Sequence, residues 1–156
     1  MIPFSAERPR ERPSVIAKAA APLCVLVAFA ALITGEPAAW GLLLVDAAAL
    51  WIFGAGAEAF AGRGWAALAV LSGAAGGCAL ALASGAEDFV IIAAAAATVA
   101  AAEVVIVHLT RSGGRPIMSV VLVPWLAGIA EVPAALWALI WAALVVGFTL
   151  LGAFGS

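Results

Sequence analysis

The chain alternates long apolar runs with short polar breaks. Residues 1–14 are polar and carry Pro3, Pro9 and Pro13, which predicts an arm rather than a packed element. The first apolar run covers about 15–34 and ends at Gly35-Glu36-Pro37. The second covers about 38–53 and ends at Gly54-Ala55-Gly56. The third covers about 65–83 and stops at Ser84-Gly85. The fourth covers about 89–109 and stops at Arg111-Ser112-Gly113-Gly114-Arg115-Pro116. A shorter apolar piece, 117–130, is broken by Glu131-Val132-Pro133, and the fifth run covers about 132–152.

A helix needs about 20 apolar residues to cross a bilayer, within a range of about 17–25. Runs one, three, four and five meet that length, and run two meets it when counted from near Glu36. The 117–130 piece is too short and predicts an interfacial segment or an extension of the helix that follows. The pattern predicts an all-α, polytopic membrane helical bundle over 15–152. It has five transmembrane helices, or six if the short piece crosses, with a cytoplasmic arm at 1–14 and a tail at 153–156.

Composition agrees with lipid as the solvent. Of 156 residues, 67% are hydrophobic and 10% charged, with a mean hydropathy of +1.22. Soluble domains average roughly 45–50% apolar and about 25% charged residues. So little charge cannot solvate a water-facing surface, so the lipid bilayer is the expected partner. A net charge of -2 offers no basic patch to neutralise phosphates, which argues against nucleic acid. Cys24 and Cys78 lie inside apolar runs without ligand spacing. They read as small packing residues, with no disulfide, metal or cofactor site predicted.

The charges also predict an orientation. With the N-terminus inside, Arg8, Arg10, Arg12, Lys18, Arg63, Arg111 and Arg115 all fall on the cytoplasmic side. The outer turns carry Glu36, Glu87 and Asp88, as the positive-inside pattern requires. Trp40 and Trp65 mark run edges, where indole rings favour the interface. Basic residues before an apolar run also fit a signal peptide. No A-x-A site follows cleanly and further runs come after, so the first run is expected to be retained.

Helices in lipid associate through small residues. Run three contains Ser72-Gly73-Ala74-Ala75-Gly76-Gly77, and run four contains Ala93 to Ala97 and Ala100 to Ala102. These two runs are expected to form the tight centre of the bundle through Gly73, Gly76 and Gly77. The bland alternative is that alanine is abundant by genomic habit.

Several segments resemble the rhomboid intramembrane serine protease family. The opening MIPFSAERPRERPSVIAKAAAPLCVLVAFA is similar to the start of many bacterial rhomboids: Met-Ile-Pro, a Pro/Arg-rich stretch, then a first helix. The segment LLLVDAAALWIFGAGAEAFAGRGWAALAVLSGAAGG resembles their second helix, turn and third helix, with Gly54, Glu58 and Gly62 at the family's Gly, Glu and Gly. Val132-Pro133-Ala134 followed by Trp141 resembles the fifth helix. The likeness covers most of the chain. It implies a rhomboid-like bundle, with a bacterial inner membrane as its location.

The departures bear on activity. The family's Gly-x-Ser-Gly serine falls near Ala94 or Ala95, and its second-helix histidine and asparagine fall on Leu42 and Asp46. The long outer loop shrinks to a few residues around Glu36. The histidine-bearing sixth helix is missing, or run five stands for it without a histidine. A serine hydrolase needs nucleophile and base together. The resemblance therefore implies a pseudoprotease with no catalytic residues, truncated or degenerate.

The remaining polar positions each carry two readings. Asp46 lies mid-membrane, where charging a carboxylate costs at least about 2.5–3.5 kcal/mol, so it must be neutralised or partnered. It is either a proton or ligand site or a hydrogen bond to a neighbouring helix. Glu103 is either a contact to a partner subunit or another helix, or part of a proton path. His108 reads as an interfacial residue rather than a ligand or base. Glu58 is expected to cap a helix or contact Arg63, and Glu87 and Asp88 to complement the next helix dipole. Thr34, Thr98 and Thr149 can satisfy carbonyls in their own helices. The leading expectation is a non-catalytic adaptor, chaperone or accessory subunit that binds other transmembrane proteins. The alternatives are a small transporter or proton-path subunit using Asp46, Glu103 and His108, and a divergent intramembrane serine protease using Ser72, Ser84 or Ser119.

Overall fold

The computed structural model describes residues 2–3, 14–113, 117–123 and 126–154. Five helices dominate it: α1 (Val15–Thr34), α2 (Pro37–Ala61), α3 (Arg63–Ala83), α4 (Phe89–Arg111) and α5 (Ala134–Phe154). All five are long and apolar enough to cross a membrane. The chain is a polytopic integral membrane protein built as a helical bundle. Leu23, Leu26, Phe29 and Ile33 of α1 and Leu139 and Leu151 of α5 stand exposed, as lipid-facing residues should.

The helix ends follow local chemistry. Gly35 adopts φ 81° and closes α1, and Pro37 opens α2 at a position where its missing N–H costs nothing. Gly62, at φ 90°, turns α2 directly into α3. Asp88 accepts a hydrogen bond from the Val90 N–H at 2.7 Å and caps α4, consistent with its expected dipole role. Helix α5 runs to Phe154, two residues into the expected tail. Residues 4–13, with Arg8, Arg10 and Arg12, and Arg115 lie outside the described residues.

Run two is longer than its glycines implied. Helix α2 passes through Gly54 and Gly56 to Ala61, so Glu58 sits in its last turn and not in a loop. The two glycines are packing positions. A Cβ on Gly54 would lie 3.1 Å from the Ala17 side chain, and one on Gly56 would strike the His108 ring. Glycine inside a membrane helix allows close approach at modest cost because neighbours re-pack against it.

Segment 117–132 also departs from expectation. It does not extend α5. It forms antiparallel strands β2 (Ile117–Val123) and β3 (Leu126–Val132), paired from Ile117↔Val132 to Val123↔Leu126. The short β1 (Ile2–Pro3) pairs antiparallel with β2, giving the sheet order β1-β2-β3. The sequence Ile117, Val120, Val121, Val123, Ile129 and Val132 is rich in β-branched residues, which favour extended backbone. Pro133 disfavours helical geometry at Val132 and so separates the hairpin from α5.

Helix α2 is the centre of the bundle. It packs against each of the other four helices and buries Leu43, Asp46, Leu50 and Phe53. The expectation that α3 and α4 form the centre is corrected in this respect, although that pair has the most extensive contact. Its closeness comes from Gly73 and Gly77, one turn apart and both buried. A Cβ on Gly73 would lie 2.6 Å from Ala100 Cα, and one on Gly77 would strike the Ala95–Ala96 backbone. Gly76 faces outward, with Val99 Cγ1 at 4.0 Å as its nearest neighbour.

Candidate functional site

The polar side chains inside the spans form three arrangements on three levels of the bundle. At the centre, Asp46 of α2 is fully buried. Thr98 Oγ1 on α4 donates to its Oδ2 at 2.6 Å, and Trp141 Nε1 on α5 donates to its Oδ1 at 3.1 Å. Each oxygen thus ties α2 to a different helix. Interhelical hydrogen bonds of this kind contribute about 0.6–2 kcal/mol each in membranes. Thr98 spends its hydroxyl on Asp46 and not on its own helix, unlike Thr34 and Thr149, which bond carbonyls three or four residues back.

At the outer face of α3 and α4, Ser72 Oγ donates to Glu103 Oε2 at 2.5 Å. The same hydroxyl lies 2.6 Å from the Leu68 carbonyl. Ser72 stands beside the midpoint of α3 and is exposed, while Glu103 is half-buried. Glu103 therefore contacts another helix, one of the two roles expected of it, at a depth where ionising a carboxylate costs about 2.5–3.5 kcal/mol.

Near the far end of α4, His108 is buried at 4% exposure, not interfacial as expected. Helix α4 continues to Arg111, which places His108 inside the bundle, and Gly56 leaves room for its ring. Phe53 and Phe60 meet that ring edge-on at centroid distances of 5.3 and 5.8 Å. One turn on, Ser112 is buried too. Among the described residues, neither ring nitrogen of His108 nor Ser112 Oγ has a hydrogen-bond partner. Such groups cost about 1–3 kcal/mol each when left unpaired.

Glu58 performs the capping expected of it. Its Oε2 accepts from the Val15 N–H at 2.9 Å, and its Oε1 from those of Ile16 and Ala17 at 2.8 and 3.0 Å. Ser14, at the N-cap position of α1, makes no side-chain cap, so a carboxylate from α2 does it instead. Arg63 Nε approaches Glu58 Oε2 at 3.9 Å. At the same end, the Arg111 guanidinium lies over the exposed Trp65 ring, 5.5 Å from its centroid, as a cation–π contact.

Among the expected positions, Asp46, Glu103, Gly73 and Gly77 each join two or more helices, while His108 stands apart from the carboxylates. No His, Cys, Asp and Glu cluster suited to a metal ion occurs among the described residues. Ala94 is buried, and the Ala95 backbone packs on Gly77. Sequence reasoning missed Ser72, Thr98 and Trp141 as partners of the acidic groups, because each pairing depends on helix register. The geometry and composition define an integral membrane protein of five apolar helices. Compared with known protein families, curated proteins and solved structures, the chain shows no match.

Proposed function

We propose that this chain is a non-catalytic, rhomboid-like membrane protein that binds transmembrane segments of other proteins as an adaptor, chaperone or accessory subunit. The observation that carries it is the Ser72–Glu103 pair. It sets a carboxylate at mid-depth on the outer face of α3 and α4, where a neighbouring helix can reach it. Asp46 is by contrast enclosed and bonded on both oxygens, which favours bracing over proton transfer. The bacterial inner membrane with a cytoplasmic N-terminus belongs to the same proposal, on the strength of the basic-residue pattern. Affinity purification in mild detergent followed by mass spectrometry tests the function. A stoichiometric membrane-protein partner is the expected result, and recovery of the chain alone counts against it.

A further inference from the structure

Building on the helix-binding function above, we propose what the partner helix carries. The α3–α4 face built by Ser72, Gly76, Ala79 and Glu103 is a docking surface for a transmembrane helix of another protein with a lysine or arginine near its midpoint. Four observations converge on this occupant.

The first is depth. Ser72 lies beside the midpoint of α3, so the carboxylate bonded to it sits near the bilayer centre. The second is incomplete pairing. Among the described residues, Glu103 makes one hydrogen bond, to a neutral hydroxyl, and that bond uses Oε2 alone. Ionisable groups within membranes normally pair with one another. The third is access. Ser72, Ala75, Gly76 and Ala79 are all exposed on this side of α3, and their small size lets a second backbone come close.

The fourth observation excludes a second copy as the source of the cation. Lys18 sits in the first turn of α1, Arg63 begins α3 and Arg111 ends α4. No lysine or arginine occupies the middle of any span. His108 is at a different level and is enclosed by Phe53, Phe60 and Gly56. None of the described spans supplies the complementary charge, so we assign it to a helix of another protein.

The test uses the full chain, fluorescently labelled and reconstituted in phosphatidylcholine vesicles. The probes are synthetic helices of about 20 residues, built from leucine and alanine with a central lysine, leucine or glutamate. Energy transfer reports association. The lysine helix should associate about tenfold more tightly than the leucine helix, and the glutamate helix no better than leucine. Glu103→Gln keeps an acceptor for Ser72 and should erase the preference for lysine. Gly76→Phe, on the outward side, should weaken association without altering thermal unfolding.

Three results overturn the docking surface: equal binding of the lysine and leucine helices, a lysine preference that survives Glu103→Gln, or a homodimer of this chain that Gly76→Phe dissociates. Equal, strong binding of all three peptides would leave helix binding standing and remove only the charge-specific face. Failure to bind any helix would remove both. If Glu103→Gln unfolds, Gly76→Phe still decides whether this face is the one used.

Discussion

At the scale of single residues, Asp46 shows how a carboxylate is accommodated within the membrane. Both of its oxygens receive donors, from Thr98 and Trp141, so neither donor is orphaned. Asparagine can reproduce this pattern, its carbonyl accepting from the indole N–H and its amide donating to the threonine oxygen. Leucine can reproduce neither contact. Thermal unfolding in detergent should therefore place Asp46→Asn within about 1 kcal/mol of the wild type, and Asp46→Leu about 1–3 kcal/mol below it. An asparagine variant as unstable as the leucine one would mean that the negative charge itself matters, and would revive a proton-path role. The need for a partner was legible in the sequence, because an acid at mid-span demands one. Its partners were not legible, since they lie 52 and 95 residues away and depend on helix rotation. Thr98 was misread because a threonine in a helix can always bond its own backbone.

Elements were more legible than contacts. Run one and α1 coincide at 15–34, because Ser14 and Gly35 bound an unbroken apolar stretch. Run two was underestimated because a Gly-x-Gly pair punctuates a soluble helix but serves as a packing surface inside a bundle. The hairpin was missed for a different reason. Its apolar residues have the length of a failed span, and over so short a run periodicity alone does not separate strand from helix; only the β-branched content does. The small-residue signal was right for α3 and α4 but could not say which glycines face inward. That distinction makes a prediction. Gly77→Leu must drive a side chain into the Ala95–Ala96 backbone and should cost about 1–3 kcal/mol or more through overpacking. Gly76→Leu meets only Val99 at its edge and should stay within about 0.5 kcal/mol, as outward substitutions do. Parallel thermal melts of the two variants give the answer, and equal destabilisation would mean that the register between α3 and α4 is different.

At the scale of the whole molecule, the sheet and the helices constrain each other. Strand β1 precedes α1, and β2 follows α4. Their antiparallel pairing, Ile2↔Val120 and Pro3↔Ser119, holds only if both lie on one side of the membrane. Four crossings by α1 to α4 return the chain to its starting side, so the parity is satisfied. A sixth crossing by 117–130 would carry part of the paired segment to the far side, whereas the strands it forms agree with the five membrane-length helices among the described residues. The proposal of a cytoplasmic N-terminus says which side this is. Lys18, Arg63 and Arg111 lie at the β1–β2 end of their helices, while Glu36, Glu87 and Asp88 lie at the opposite end. This asymmetry is what supports the proposed orientation, in which the positive-inside rule makes the sheet end the cytoplasmic one. Single cysteines placed at Gly62 and Gly113, in a background without Cys24 and Cys78, should resist a membrane-impermeant maleimide in intact cells. Cysteines at Gly35 and Gly85 should react with it. Labelling at Gly113 but not at Gly62 would put the α4–α5 connection on the far side, which is incompatible with the β1–β2 pairing. Reversal of all four would keep the five-helix parity and overturn the orientation alone.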